Sequence, residues 1–255
     1  MSSVDANSSA HDRARTRFLE HRQAFAANQP LRQLYSEWYG KIAQNLPPSA
    51  LGPVLELGSG PGLAADFLPS VLLTDVVRAP WHHMTVAAEN LPFANGTLGA
   101  IVLFDVLHHL PSPLRFLREA VRALPTGGRL LICDPYISPL SFPVFKWLHE
   151  EGFDFAVDPF EPKWLPGKDP FAGNQAVATQ LFFKRRVEFE RRVPELAIVV
   201  RERLAGVSYP LAGGFGRRPL VSEAIWNLLQ RTETYLPAWA YAWFGFRTLV
   251  VLQRA

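Results

Sequence analysis

The 255-residue sequence predicts an α/β fold: a doubly wound, mostly parallel sheet with helices on both faces. Three observations carry that prediction. Short apolar runs recur at Val54–Leu57, Val71–Thr74, Ala100–Phe104 and Arg129–Cys133, each bounded by turn residues, as strands buried on both faces require. The segment from Pro111 to Leu124 places Leu114, Leu117, Val121 and Leu124 at the helical period, with charges between them. The first run leads straight into Gly58-Ser59-Gly60-Pro61-Gly62, the tight turn expected between a strand and a following helix.

Taken in order, residues 1–10 are rich in Ser, Ala and Asn and are expected as a disordered tail. Residues 11–48 carry two helices, one from His11 to Asn28 and one from Leu31 to Leu46, stopped by Pro47-Pro48. Residues 49–255 form the main domain. In its first strand Glu56 stands two positions before the glycine cluster, and a helix-like segment follows the turn. Glycines at 58, 60 and 62 admit positive φ and let a ligand approach the backbone. A dinucleotide fingerprint would need its third glycine at position 63, where Leu63 stands, so the spacing opposes a nicotinamide oxidoreductase. The second strand ends at Asp75, placed to meet ribose hydroxyls. Between Asp75 and Glu89 there is no room for a full helix before a third strand near Met84–Val86. His82-His83 has no carboxylate or cysteine at ligand spacing, so a surface pair is expected and no metal site.

The fourth strand runs through Asp105 into His108-His109. Imidazoles just past the carboxyl end of a strand titrate near neutrality and are candidate general bases. The Pro111–Leu124 helix is closed by Gly127-Gly128, and Arg129–Pro135 is the fifth strand. Prolines at 135, 139, 143, 159, 162, 166 and 170 then mark an irregular insertion over about residues 137–190. Within it, Ser141–Glu151 and Asn174–Lys184 are expected as short helices. Insertions at the carboxyl end of a parallel sheet are where α/β enzymes bind substrates. Tyr136, His149 and Asn174 are therefore assigned to the substrate, while His149-Glu150-Glu151 also reads as a solvated charged turn. Leu196–Val200 is strand-like, Ser222–Leu236 helix-like, and Phe246–Leu252 a last strand with Arg247 to one side.

Several of these stretches share a resemblance. Glu56 with Gly58-x-Gly60-x-Gly62 resembles motif I of class I S-adenosylmethionine-dependent methyltransferases, and Asp75 matches their ribose-binding acid. Ala88-Glu89-Asn90-Leu91-Pro92-Phe93 is similar to the family's adenine-flanking loop, which commonly reads D-A-E-x-L-P-F. Ala87 replaces the Asp here, leaving Glu89 or backbone groups to read the adenine edge. Asp105-x-Leu107-His108-His109-Leu110 resembles the ending of the family's fourth strand. The likeness covers about residues 50–136. It implies a Rossmann-like seven-stranded sheet with an antiparallel last strand, and S-adenosyl-L-methionine as cofactor. The implied cofactor contacts are Glu56, Gly58, Ser59, Gly60, Gly62, Asp75, Glu89 and Leu91, with Asp105 as a wall of the methionine pocket. It further implies methyl transfer to an O or N atom of a small molecule, with the N-terminal helices as a lid in which Tyr35, Trp38 and Tyr39 take part. The pattern of Leu107-His108-His109, His149-Glu150, Asp169-Pro170-Phe171, Asn174-Gln175-Ala176 and Leu211-Ala212-Gly213-Gly214 is also similar to a bacterial subgroup of unassigned substrate. A non-catalytic adenosylmethionine-binding or regulatory protein is the alternative that Ala87 leaves open.

The totals bound the partners. A net charge of +3 and a pI of 9.2 are too mild to argue for nucleic acid. Asp134-Pro135-Tyr136 lacks the second proline of the amino-methylating DNA enzymes. The late basic residues, Lys184 to Arg218, alternate with glutamates. They leave room for a phosphate- or saccharide-containing acceptor, with Trp239, Trp243 and Phe244 near its apolar part and a peripheral membrane contact. The apolar stretch Ala238–Gln253 is broken by Arg247 and too short to span a bilayer, and no secretory leader is visible. The single cysteine, Cys133, fits the cytoplasm. Oligomeric state leaves no trace in the sequence.

Overall fold

The computed structural model describes residues 3–149, 151–161 and 172–255. Two helices, α1 (Ser3–Ala27) and α2 (Gln29–Gln44), precede a sheet whose strands are β1 (Val54–Leu57), β2 (Leu72–Asp75), β3 (Met84–Thr85), β4 (Ala100–Phe104), β5 (Arg129–Pro135), β6 (Leu196–Leu204) and β7 (Arg247–Arg254). Their order across the sheet is β3-β2-β1-β4-β5-β7-β6. The pairs from β3 to β5 are parallel, and β7 runs antiparallel to both of its neighbours. The seven strands and the reversed last strand match the expected architecture.

Period-two alternation divides the core. Leu55, Leu57, Ile101, Leu103, Leu130 and Ile132 face one side, where α3 (Pro113–Ala123) lays down Phe116, Leu117 and Ala120. Ala100, Val102, Leu131 and Cys133 face the other, against Leu34, Trp38 and Ile42 of α2. Each such fully buried large side chain contributes roughly 1.5–3 kcal/mol. Helix starts follow the sequence. Asn28 accepts from Leu31 N–H at 3.1 Å and is followed by Pro30, and Ser112 accepts from Arg115 N–H at 3.3 Å and is followed by Pro113.

The insertion contributes α4 (Ser141–Trp147), α5 (Val177–Thr179), a π turn over Gln180–Lys184, and α6 (Arg186–Arg192). The chain then passes through α7 (Ser208–Leu211), α8 (Glu223–Thr234), capped by Ser222, and α9 (Tyr241–Phe244).

Five expectations are corrected. The first helix begins at Ser3, not His11, so most of the segment read as a tail is helical. After the glycine turn there is one 3₁₀ turn, Leu63–Asp66, and no α-helix, because Pro69 and the start of β2 leave too few residues. The helix expected over 141–151 stops at Trp147, and β6 extends four residues beyond Val200. The histidine pair splits: His83 is exposed, but His82 is 2% exposed, its Nε2 2.9 Å from Gly60 O and its Nδ1 3.0 Å from Val77 O.

Candidate active site

The carboxyl ends of β1, β2 and β4 open on a cavity of about 1350 Å³. Its first wall is the glycine turn. Gly58, Gly60 and Gly62 have φ of 66°, 44° and 73°. A Cβ on Gly58 would lie 2.5 Å from Val106 Cγ2, so a side chain there would collide with the β4 turn. Gly60 N–H donates to Asp75 Oδ2 at 2.9 Å, and Val77 N–H to Asp75 Oδ1 at 2.8 Å. These bonds aim the carboxylate into the cavity and leave further lone pairs for hydroxyl donors. Burial raises the Asp75 pKa.

Glu56, 1% exposed, accepts from Tyr39 O–H at 2.7 Å through Oε1, while Oε2 has no partner among the described residues. Burial pushes its pKa up to about 7. An unpartnered buried carboxylate oxygen on the cavity wall is a seat for a cationic nitrogen. Helix α1 crosses this end of the cavity. Arg22 donates to Pro61 O at 2.6 Å and stacks over Trp81, and Trp81 donates to Gly60 O at 2.9 Å.

The middle of the cavity is Asp105, a non-glycine residue at φ 56°. Arg247 reaches its carboxylate at 2.5 Å from behind. That guanidinium is 2% exposed and lies over the rings of Trp38, Phe104 and Tyr209 at 4.6, 5.0 and 5.6 Å. Burial opposes its charge, but Asp105 holds the proton on, well above the usual arginine range.

The far end is ionic. His108, on the 3₁₀ turn Leu107–His109, has Nδ1 3.0 Å from Asp134 Oδ1 and Nε2 3.2 Å from Glu151 Oε2. Burial alone would lower its pKa, yet Asp134 and then Glu151 raise it to about 10. His109 lies beside it, the ring centroids 4.0 Å apart, and burial together with the charge on His108 pushes it down to about 4. Burial would raise Glu151, but the imidazoles hold it at about 2. Gln175 Nε2 donates to the same Glu151 oxygen at 2.7 Å. Val144, Phe145, Leu148 and Phe246 supply an apolar wall beside this network.

A profile described as "Methyltransferase domain" matches residues 11–165, which includes the glycine turn, Asp75 and the histidine pair. The chain belongs to the methyltransferase-domain family. Two relatives from Mycobacterium tuberculosis, strains CDC 1551 and H37Rv, each described as a probable S-adenosylmethionine-dependent methyltransferase, are 28% identical over 139 residues. That is 49% of this chain, and the chain spans about half the length of these curated relatives, 47%. Among solved structures, a geranyl diphosphate C-methyltransferase from Streptomyces coelicolor is 12% identical over 88% of this chain and 78% of that one, with a TM-score of 0.45. The YcgJ protein of Bacillus subtilis is 15% identical over 85% and 98%, with a TM-score of 0.44.

Within this methyltransferase domain, Glu56, Gly58, Ser59, Gly60, Asp75, Glu89, Asp105, His108, His109 and His149 all line the one cavity. Four other expected site residues do not. Gly62 lies under Trp81, 2.5 Å from where its Cβ would stand. Leu91 is in the core, its N–H given to Glu119. Tyr136 packs on Phe183, with Arg203 over its ring. Asn174 pins the insertion, bonding both backbone groups of Asp154 at 2.9 Å while its own N–H meets His108 O. Glu89 accepts from Ser112 N–H at 3.3 Å at the start of α3. Of the lid aromatics, Tyr35 and Tyr39 reach the cavity and Trp38 is core. Glu150 and the Asp169-Pro170-Phe171 motif lie outside the described residues.

Sequence reasoning missed Asp134, Glu151 and Gln175 as a unit, the burial of Arg247, and the Tyr39–Glu56 bond. None has a spacing signal, because each pairs residues from separate segments. Three residues of the late basic cluster are ion-paired internally: Arg185 on Asp158 and Glu188, Arg186 on Glu190, Arg192 on Glu188 and Glu161. No helix among the described residues is long and apolar enough to cross a membrane.

Proposed function

We propose that this chain is an S-adenosylmethionine-dependent methyltransferase that methylates an oxygen or nitrogen of a small molecule with an apolar body. The observation that carries the reading is the single cavity running from the glycine turn and Asp75, past Asp105, to His109, Glu151 and the insertion. Its two ends suit two ligands of different chemistry. S-adenosyl-L-methionine supplies, when bound, a methyl group made electrophilic by a sulfonium. The residues fit it: Asp75 for the ribose hydroxyls, the Gly58–Gly60 turn for close backbone approach, and the unpartnered Glu56 Oε2 for the ammonium. Asp105 contributes a carboxylate to the wall between the two ends.

Holding the acceptor in line is the protein's main task; alignment with exclusion of water can amount to roughly 7–11 kcal/mol of a reaction barrier. Val144, Phe145 and Leu148 clamp the apolar body, while His109, Glu151 and Gln175 orient the accepting atom.

Calorimetric titration with S-adenosylmethionine, S-adenosylhomocysteine and NADH tests the first half. The first two bind with one-to-one stoichiometry and NADH does not, and Asp75→Ala weakens them at least tenfold. Absence of adenosylmethionine binding overturns the reading. Transfer of labelled methyl from the cofactor into a metabolite mixture tests the second half; binding without transfer to any metabolite identifies a binder rather than an enzyme.

A further inference from the structure

Adjacent histidines on a tight turn ordinarily direct their rings to different places. Here both imidazoles converge on one carboxylate that arrives from the insertion, more than forty residues away. We propose that His108, His109 and Glu151 form a binding site for one divalent transition-metal ion, with its open positions facing the acceptor end of the cavity.

The geometry is that of a two-histidine, one-carboxylate set. Glu151 Oε2 lies 3.2 Å from His108 Nε2 and 3.7 Å from His109 Nε2. One ligand atom from each residue falls within 4.8 Å of the others. Metal bonds of about 2.0–2.2 Å put the ligand atoms of a tetrahedral or facial set about 3.0–3.5 Å apart. The Glu151 oxygen is therefore within a few tenths of an ångström of that spacing from both imidazoles, whose own ligand nitrogens lie no more than 4.8 Å apart.

What surrounds them is the support a metal site needs. Asp134, fully buried, takes His108 Nδ1 at 3.0 Å and so fixes the ring with Nε2 toward Glu151, the orienting role of a carboxylate behind a ligating imidazole. Gln175 holds the ligating oxygen of Glu151 at 2.7 Å. Gly173 lets the insertion close over the pair, since a Cβ there would lie 2.8 Å from His108 Cδ2 and from His109 Nδ1. Both imidazoles and Glu151 border the cavity, which leaves an approach for an ion and for an acceptor atom.

Charge points the same way. With neutral imidazoles, Asp134 and Glu151 bring two negative charges, which one dication balances; Asp105 is already matched by Arg247. A ligating imidazole binds as its neutral form, so the ion takes the place of any proton on His108 Nε2, which goes to solvent. The second convergent group, Asp105, His108 and Asp134, shares His108 and has Asp105 committed to Arg247, so it is the poorer set. The nitrogen-rich donors select zinc, cobalt or iron over magnesium and calcium, which prefer all-oxygen sites. The inference rests on the methyl-transfer reading only in naming the acceptor: open metal positions beside the methyl donor favour an oxygen-bearing one.

The test is titration of the chelator-stripped full chain with Co²⁺. One equivalent binds and produces the visible absorption bands of a four- or five-coordinate site, and Zn²⁺ displaces it. His109→Ala and Glu151→Ala each weaken binding at least tenfold with the circular dichroism spectrum intact, and Asp134→Asn weakens it about 10–100-fold. Absence of the bands, or binding unchanged in both His109→Ala and Glu151→Ala, overturns the site. Titration of the same stripped protein with S-adenosylmethionine separates the failures. Cofactor binding without cobalt binding removes the metal alone, and cobalt binding without cofactor binding removes the methyltransferase reading alone.

Discussion

The two ends of the cavity are built in different ways. At the end proposed for the cofactor the geometry is set by backbone: positive-φ glycines, the N–H groups of Gly60 and Val77 that orient the Asp75 carboxylate, and strand ends that neighbour each other in the sheet. At the end proposed for the acceptor it is set by polar and charged side chains on four separate stretches, carrying His108, Asp134, Glu151 and Gln175. Backbone geometry is a local consequence of residue type, whereas a side-chain network exists only once distant segments have packed. The Asp105–Arg247 pair lies between, joining the end of β4 to the start of β7.

That pair is where the comparison can be broken most forcefully. Arg247→Met keeps the volume among Trp38, Phe104 and Tyr209 but leaves Asp105 without its counter-ion. Removing one partner of a buried pair costs about 3–5 kcal/mol. Asp105 is 34% exposed on its side chain, so the lower part of that range is expected. Urea unfolding of Arg247→Met measures the loss, and Asp105→Asn in the same background recovers part of it. Stability equal to the parent's would show that the two ends stand independently of the pair.

The same division explains what the sequence reveals. Strand identities, the glycine turn and Asp75 are legible because period-two burial and glycine spacing are properties of neighbouring residues. The absent helix after Gly62 is harder, since only the distance to Pro69 excludes it. His82 reads as a surface residue until the fold places Gly60 O against its ring. Glu151 sits in what reads as a solvated turn, and Asp134 in a strand-end motif set aside for want of a second proline. Their partner His108 lies 43 residues before Glu151 and 26 before Asp134, separations at which no periodic pattern survives.

Glu56 sharpens the cofactor end through pH. Its folded-state pKa of about 7 lies above the ordinary 4.5, so folding favours the protonated acid. Its contribution is complete below pH 4.5 and is lost as pH rises to 7 and beyond, about 2.5 units or roughly 3 kcal/mol. Glu56→Gln is therefore expected to raise the stability of the cofactor-free protein at pH 8 by up to about 3 kcal/mol, an advantage that fades as pH falls from 7 toward 4.5. The same variant is expected to weaken S-adenosylmethionine binding, because the carboxylate proposed to meet the ammonium is gone. Unfolding curves at pH 5 and pH 8 check the first statement and calorimetry the second; parallel curves would mean that Glu56 is already compensated in the cofactor-free protein.

Ser112 gives the smallest effect and bears on both ends. Its hydroxyl caps α3 at Arg115 N–H, and its own N–H is held by Glu89 on the cavity wall. Ser112→Ala removes only the cap and should cost about 1 kcal/mol of stability, read from the urea midpoint. The backbone N–H remains, so Glu89 keeps its anchor and cofactor affinity should stay within about twofold. Glu89→Gln retains an acceptor for that N–H but removes the charge, so an affinity loss confined to Glu89→Gln places the adenine contact on the side chain itself. An equal loss in both variants would instead tie the cofactor end to the α3 start, and the two ends would then share a support that their separate construction does not require.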